Sequence, residues 1–291
     1  MKRKVSNILI ILLFLVGIGI LVYPTVSNQW NTYRQNKLIK SYQQEIKALE
    51  PEDFTKAKEA ARKYNETIYE NTLYADIYDE EEFKIEETEY WKILNLAGDG
   101  VMGYISIPKI NVTLSIYHGT NEDVLQTGVG HVSSTKLPIG GENNHTVLAA
   151  HRGLPSARLF TDIDQLVIGD MIYLHILDEV LAYKVDQILD MVDKNDVDAL
   201  ASALKIEEGQ DYVTLFTCTP YGVNSHRLLV RGTRVEYNVE EKKADITVPE
   251  TMVEIVQDYY MLYLILALAI ITVVVLIMKI IFNKKNKKTR P

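Results

Sequence analysis

Two apolar runs, one near each end of the chain, most constrain what this sequence can fold into. No charged residue occurs from residue 5 to residue 33, and residues 8–23 form a dense apolar run that follows three basic residues. Residues 259–278 are also uncharged. A helix of that length spans about 30 Å, which matches the core of a lipid bilayer. We therefore predict a membrane-spanning helix at each end, with the folded domain between them.

The basic residues that flank these runs predict their orientation. Three precede the first run and six follow the second, so both termini are predicted to be cytoplasmic and the region between them extracellular at the cell membrane. Small residues at 25–27 would also suit cleavage as a signal peptide. We favour an uncleaved anchor.

The exported region is strongly acidic. Removing the three and six basic residues of the two tails from the net charge of −8 leaves −17 for residues 5–278. A surface of this sign disfavours nucleic-acid binding, and the basic tails are explained as topology signals. The content of 47% hydrophobic and 24% charged residues indicates a globular domain.

The sequence pattern of the chain changes at residue 101. Before it, residues 34–64 have helical spacing interrupted by Pro51, which predicts two amphipathic helices packed on the main domain, and residues 73–89 are rich in acids, as in a solvated linker. After it, short strands alternate with glycine-rich turns, which indicates an antiparallel or mixed β-barrel. Strands are predicted at 102–110, 112–118, 144–150, 171–177, 180–189, 212–217 and 226–235, and short helices at 160–166 and 197–204. We found no phosphate loop or zinc spacing, so no cofactor or metal is predicted.

The sole cysteine of the chain lies at the end of a predicted strand. Residues 212–217 are apolar, β-branched or aromatic, and Cys218 follows them. A single cysteine in a strand is most often a small buried hydrophobe. Outside the membrane, however, an odd cysteine indicates either intermolecular pairing or a reactive thiol. The position at a strand–loop junction favours the reactive thiol.

Two other side chains are candidates for a site around Cys218. A loop at 220–222 lets the next strand return, which brings Arg227 back toward the thiol. His151 follows the strand predicted at 144–150 and so occupies a similar strand–loop junction. Acyl transfer by a thiol needs a group that handles its proton and donors for an oxyanion, and arginine stays charged at any physiological pH.

The other histidines and arginines are interpreted as structural. His118, His145 and His175 fall within predicted strands. Arg231 and Arg234 lie further along the last predicted strand and are taken as surface residues, although Arg231 shares the face of the earlier arginine if no bulge intervenes.

The segments around these candidates resemble a known family. Residues 214–232 have the sequence Thr-Leu-Phe-Thr-Cys218-Thr-Pro-Tyr-Gly-Val-Asn-Ser-His-Arg227-Leu-Leu-Val-Arg-Gly. Residues 151–164 have the sequence His151-Arg-Gly-Leu-Pro-Ser-Ala-Arg-Leu-Phe-Thr-Asp-Ile-Asp. Both are similar to the active-site segments of the sortases, specifically of the class C or pilin-polymerising group. Ala150 stands where the family usually has glycine, and the resemblance extends from about residue 73 to residue 235.

The resemblance implies a fold and a mechanism. The fold is mainly β, an eight-stranded sortase barrel with N-terminal helices and a transmembrane helix at each end. Cys218 would attack the threonine carbonyl of a Leu-Pro-x-Thr-Gly sorting signal, and His151 would protonate the departing amine and deprotonate the incoming one. Arg227 would hold the substrate and the oxyanion with help from Thr217. The acceptor would be a lysine of the next pilin or a cell-wall peptide, and no cofactor or metal would take part.

The implied organisation divides the chain into five regions. These are a tail and anchor at 1–33, an extracellular helical region at 34–95, the catalytic barrel at 96–238, a tether at 239–258 and the second span with its basic tail at 259–291. Pilin-specific members of the family also carry a lid, typically Asp-Pro followed by an aromatic residue. Asp76-Ile77-Tyr78 occupies that place within a predicted lid at 74–80, with isoleucine replacing proline. Asp76 would pair with Arg227, and Tyr78 would cover Cys218.

Two other functions compete with this interpretation. A cysteine peptidase of another exported family also uses a cysteine and a histidine, but it usually adds an Asn or Asp that orients the histidine, and the sequence offers no obvious one. A non-enzymatic surface scaffold would need no reactive thiol at all.

Overall fold

Helices precede the barrel. The computed structural model describes residues 2–71, 77–78, 88–237, 268 and 272–273. Helix α1 is Lys2–Ala48, α2 is Pro51–Glu66 and α3 is Glu89–Lys92. The predicted break at Pro51 is confirmed: this proline is the first residue of α2, where its missing N–H would have had no partner within the helix. The first amphipathic stretch is not a separate helix, because α1 continues through both this stretch and the apolar run, with Pro24 inside the helix.

One helix among the described residues is long and apolar enough to cross a membrane. It is the part of α1 from Leu12 to Ala48, which contains a window of mean hydropathy 1.5 that is only 6% buried. An uncleaved anchor and a signal sequence both meet this criterion, so the choice between them stays a prediction. The second predicted span at 259–278 lies outside the described residues, except that Leu268, Thr272 and Val273 are helical.

Eight strands form a closed barrel. Their order around the barrel is β1-β2-β3-β4-β7-β8-β6-β5. Their bounds are β1 Val101–Ile107, β2 Val112–His118, β3 Val129–His131, β4 Asn144–Ala149, β5 Met171–Ile176, β6 Glu179–Asp193, β7 Asp211–Thr219 and β8 His226–Val235. The β2–β3 and β4–β7 pairs are parallel and the other pairs antiparallel. The predicted mixed barrel is therefore confirmed.

Several short elements differ from the prediction. Strand β3 has three residues, too few for an alternating pattern to identify. The helix predicted at 160–166 is only one 3₁₀ turn, Ile163–Gln165, whereas that at 197–204 is α5, Val197–Ala203. A further short helix, α4, covers Glu122–Leu125 and was not predicted. Another 3₁₀ turn, Pro108–Ile110, connects β1 to β2.

Buried polar side chains fix the helices against the barrel. Gln35 of α1 accepts the N–H of Ser115 at 2.8 Å and donates to the carbonyl of Thr127 at 2.7 Å. Asn65 of α2 accepts the N–H of Leu137 at 2.7 Å and donates back to the carbonyl of the same residue at 3.2 Å. These bonds satisfy backbone N–H and C=O groups that are not paired within the sheet. The predicted packing of both helices on the main domain is therefore confirmed.

The strands that carry the candidate residues separate two apolar clusters. On one face, Leu148, Leu215 and Leu228 belong to the main core. On the other face, Ala149 and Phe216 belong to a second cluster. Because successive side chains of a strand alternate between faces, this partition fixes the face of every residue near the strand ends.

Candidate active site

Three adjoining strands bring the candidate residues to one edge of the barrel. Strand β7 lies between β4 and β8. Cys218 of β7 lies directly opposite Arg227 of β8. In the parallel β4–β7 pair Ala149 lies beside Phe216, and His151 follows Ala149 by two residues, just beyond the end of β4.

Alternation puts Cys218 and Arg227 on the same face. Phe216 and Leu229 each face the second cluster, and Cys218 and Arg227 lie two residues from them on β7 and β8. Tyr78 contacts both His151 and Arg227 from the side of this cluster. That Cys218, His151 and Arg227 act together stays a prediction.

Cys218 and Arg227 are both buried. Cys218 is 7% exposed and Arg227 only 3%. Nη1 of Arg227 donates to the carbonyls of Asn224 at 3.0 Å and His226 at 2.8 Å. These bonds orient the guanidinium beside the thiol.

Thr217 faces the opposite side of β7 from Cys218. Its buried hydroxyl donates to the carbonyl of Ala150 at 2.7 Å. The bond joins the residue before the candidate nucleophile to the residue before His151, so it fixes the spacing of the two strand ends. A role for Thr217 in supporting the oxyanion stays a prediction.

Tyr78 lies over the site. Its ring stacks on the ring of His151, with centroids 5.4 Å apart and planes 19° apart, and Cζ of Arg227 is 5.2 Å from its centroid. Its hydroxyl donates to the carbonyl of Ala150 at 2.8 Å. The neighbouring Ile77, 1% exposed, packs in the second cluster.

The rest of the predicted lid, Asp76 included, lies outside the described residues. The sequence named the aromatic residue of the segment but gave no role to Ile77.

A carboxylate that the sequence did not single out contacts His151. Nε2 of His151 lies 3.4 Å from Oε2 of Glu122, the first residue of α4. A hydrogen bond from Gln126 and the proximity of His151 hold the pKa of this carboxyl below its ordinary value. Because the residue lies 29 positions before the histidine, in a helix of four residues, no local pattern could have identified the pair.

Arg152 connects the loop after His151 to the end of β7. Nη1 of Arg152 donates to Oγ1 of Thr219 at 3.2 Å. Its Nη2 pairs with Asp164, and its Nε donates to the carbonyl of Thr161 at 3.2 Å. These bonds brace the candidate histidine and the candidate nucleophile against the same loop.

The histidines interpreted as structural have internal partners. His118 contacts the carbonyls of Gly100 and Ile93, and burial lowers its pKa. His145 contacts the carbonyl of Lys205 and the hydroxyl of Thr214, and burial lowers its pKa to about 4. His175 stacks on Tyr104.

The two later arginines of β8 are not simple surface residues. Arg231 forms a two-pronged pair with Asp186 and lies over the ring of Tyr212. Arg234 lies 3.6 Å from Asp211. The β7–β8 register is regular from residue 212 to residue 219, so Arg231 shares the face of Arg227 but is held by a partner of its own.

No group of three or more His, Cys, Asp or Glu side chains that could hold a metal ion occurs in the described part of the chain. The candidate residues themselves supply a thiol, an imidazole, a guanidinium and a nearby carboxylate.

Comparisons with known proteins relate this chain to the sortases. The sortase domain family matches residues 105–235. Sortase C1 from Streptococcus agalactiae is 44% identical, with a TM-score of 0.62 over 69% of this chain and 100% of that structure. The pilus-related sortase C of Group B Streptococcus is 38% identical, with a TM-score of 0.61 over 68% of this chain and 97% of that structure. Sortase A of Bacillus anthracis is 27% identical over 80% of this chain and 96% of its own length.

The closed mixed barrel with a cysteine at a strand end defines the class: a cysteine-dependent acyl-transfer enzyme. The chain belongs to the sortase family of cysteine transpeptidases and groups with the class C, pilus-related sortases. The expected eight-stranded sortase barrel is confirmed.

Proposed function

We propose that this chain is a membrane-anchored transpeptidase that cleaves a Leu-Pro-x-Thr-Gly-type sorting signal between Thr and Gly and transfers the new acyl group to an amine, namely a lysine of a pilin subunit. The observation that carries the proposal is the pairing of Cys218 with Arg227 on adjacent strands, with Tyr78 in contact with both Arg227 and His151. The pilus-related structural relative supports the choice of a pilin as substrate and acceptor.

The chemistry follows from the three side chains. The thiolate of Cys218 attacks the threonine carbonyl, and the C–N bond to glycine breaks after His151 gives a proton to the departing nitrogen. The product of this step is a thioester on Cys218. The incoming amine then loses a proton to His151 and displaces the sulfur, which forms a new amide bond and regenerates the thiolate. Nothing is oxidised or reduced.

Arg227 stabilises the charge that develops in both steps. Its guanidinium is buried beside Cys218 and oriented by two backbone carbonyls. In such a site a fixed donor acts strongly on an oxyanion because little water competes with it. Thr217 assists by holding β4 and β7 at a constant separation.

We also propose that residues 74–80 form a lid that closes the free enzyme. Tyr78 covers the ring of His151 and contacts Arg227, and Ile77 is inserted in the second cluster. A sorting signal has to displace Tyr78 to reach the imidazole. The paired charge predicted for Asp76 would strengthen the closed state.

The localisation we propose follows from the charge asymmetry of the chain. The barrel and its acidic surroundings are extracellular, and the basic residues at both ends remain in the cytoplasm. The apolar part of α1 supports the first anchor.

Trapping the acyl-enzyme tests this function. The full chain in detergent is mixed with purified pilin or a sorting-signal peptide, quenched in acid and digested for mass spectrometry. We expect the peptide fragment ending in threonine to be attached to Cys218, and we expect the adduct to be absent from Cys218→Ala. Addition of pilin amine should convert the adduct into an isopeptide product.

Two results would contradict the proposal. Hydrolysis alone, at saturating amine and with pilin supplied, would favour a cysteine peptidase. An unchanged covalent surface polymer in cells that carry Cys218→Ala would favour a scaffold without catalytic activity.

A further inference from the structure

Other contacts hold both the carboxylate of Glu122 and the helix that carries it in place. Oε2 of Glu122 lies 3.4 Å from Nε2 of His151, and Oε1 of the same carboxylate accepts a bond from Gln126 at 2.8 Å. Asn121 caps the N-terminus of α4, and Leu125 at its other end is buried in the second cluster. The carboxylate is therefore directed at the imidazole by a short helix that is itself anchored.

Glu122 contacts the edge of the His151 ring that carries Nε2, whereas the stacking contact of the ring is on its face. Tyr78 covers the face of the ring, and Arg227 lies against the ring of Tyr78. Among the described residues, Glu122 is the carboxylate that contacts the imidazole. It is thus the group that balances a positive charge on the ring next to the guanidinium.

We propose that Glu122 is a positioning residue for His151: by accepting the Nε2–H it fixes the ring orientation and leaves Nδ1 as the nitrogen that exchanges protons during transfer. The inference rests on the proposed function and adds to it the orienting acid that the sequence did not identify. A third group that orients the base is the general arrangement in nucleophilic catalysis.

The proton balance of each half-reaction is then defined. In the neutral ring Nε2 carries the hydrogen and Nδ1 has the lone pair. Nδ1 takes the proton of the incoming amine, and in the other half-reaction the protonated ring gives the Nδ1 proton to the departing glycine nitrogen. The Nε2–H stays on the ring, and Glu122 stays ionised.

Solvent limits how strongly the charge of Glu122 can act on His151. The side chain of Glu122 is 63% exposed and that of His151 is 19% exposed, and exposed ion pairs are weak because water screens them. The contact becomes more important when the lid opens, because Tyr78 then leaves the ring and Glu122 stays.

Glu122→Gln tests the kinetic consequence. This substitution keeps the size of the side chain and removes its charge, so we expect kcat of the full chain in detergent to fall by roughly twofold to fivefold with KM unchanged. Asp123→Asn is the matched control, because it removes the same charge from the adjacent, exposed position of α4, and it should behave as wild type. Wild-type kinetics in Glu122→Gln would overturn the proposal.

The ring nitrogens of His151 provide a second readout, which does not depend on activity. In protein carrying ¹⁵N-labelled histidine, with His151 assigned by its loss in His151→Asn, the neutral ring should be mainly the Nε2–H tautomer. In Glu122→Gln that preference should weaken. An unchanged tautomer distribution in Glu122→Gln would overturn the positioning role.

The two proposals can fail separately. If the wild-type chain forms no acyl-enzyme but Glu122→Gln shifts the tautomer, then the proposed function is wrong and the positioning contact is real. If the acyl-enzyme forms and the spectra of the two proteins coincide, then the function stands and the role of Glu122 is wrong.

Discussion

At the scale of single residues, the choice of arginine at position 227 follows from its surroundings. The side chain is 3% exposed and binds two backbone carbonyls. A guanidinium has five N–H donors in a rigid plane, so it can hold these carbonyls and still reach a substrate oxygen. A lysine ammonium places three donors on one atom and has to give up one of these tasks.

Arg227→Lys should therefore reduce activity although it preserves the charge. We expect kcat/KM for a sorting-signal peptide to fall about 10²-fold, the loss typical of removing one oxyanion donor. Arg234→Lys is the matched control on the same strand, and we expect less than a threefold change because its partner is Asp211. Near-wild-type kcat/KM in a folded Arg227→Lys protein would show that charge alone is sufficient.

At the scale of elements, the segment between α2 and α3 is fixed at several points. Asn71 donates to the carbonyls of His145 and Leu204 at 2.9 Å and 2.7 Å. Six residues later Ile77 is buried in an apolar cluster and Tyr78 donates to Ala150. In the proposed lid an isoleucine replaces the family's proline, and we expect apolar burial of its side chain to replace the backbone stiffness that proline would supply.

Stepwise truncation of the Tyr78 side chain should increase the accessibility of Cys218 in steps. Because Cys218 is the sole cysteine, its alkylation by iodoacetamide reports access to the site directly. Tyr78→Phe loses only the bonding of its hydroxyl to the carbonyls of Ala150 and Phe216, worth about 1 kcal/mol, so alkylation should speed up roughly fivefold. Tyr78→Ala also loses the ring, and we expect a larger increase.

Tyr69→Ala is the control for this series, since Tyr69 is an exposed tyrosine earlier in the same connection, and its rate should equal that of wild type. Asp76→Ala tests the predicted pairing with Arg227 in the same assay. Equal rates in wild type, Tyr78→Phe and Tyr78→Ala would count against a closed lid.

At the scale of the whole molecule, buried histidines make stability depend on pH. His131 accepts the hydroxyl of Tyr90 at Nδ1 and donates Nε2–H to the carbonyl of Lys136. His145 donates Nδ1–H to the carbonyl of Lys205 and accepts the hydroxyl of Thr214. Each set of bonds suits the neutral ring, and burial lowers the pKa of His131 to about 3 and that of His145 to about 4.

Mild acid should therefore destabilise the fold. Each folded-state pKa lies below the ordinary value of 6.5, so the unfolded chain binds the protons first. The stability present above pH 6.5 is then lost as the pH falls toward these lower values. At pH 5 each histidine should cost about 2 kcal/mol of unfolding free energy, measurable by urea denaturation of the full chain in detergent.

A variant separates this effect from the protonation of carboxylates. His131→Gln should be less stable at pH 7 but should lose about 2 kcal/mol less than wild type between pH 7 and pH 5. His226→Gln, which leaves both buried rings in place, should lose as much as wild type. Equal losses in wild type and His131→Gln would show that this histidine does not contribute to the pH dependence.

Much of the fold could be predicted because local patterns are physically tied to it. Strand β8 has the predicted bounds, and Pro51 begins α2 where the spacing was interrupted. The short strand β3 and the helix α4 escaped prediction, because three or four residues are too few for a period to stand out. The continuity of α1 also escaped, because the change from apolar to amphipathic composition need not interrupt a helix.

For the site, the sequence and its family resemblance predicted Cys218, His151, Arg227 and Tyr78, since each lies at a strand–loop junction or within a motif whose chemistry depends on residue type. Only the tertiary structure showed Glu122 on the imidazole, the bond from Thr217 to Ala150 and the burial of Ile77. These contacts join segments that are distant along the chain, and their partners are set by strand register and barrel closure. A local pattern holds no information about contacts between distant segments. The sequence could therefore predict the candidate reacting groups, but it could not predict the groups that hold them in place.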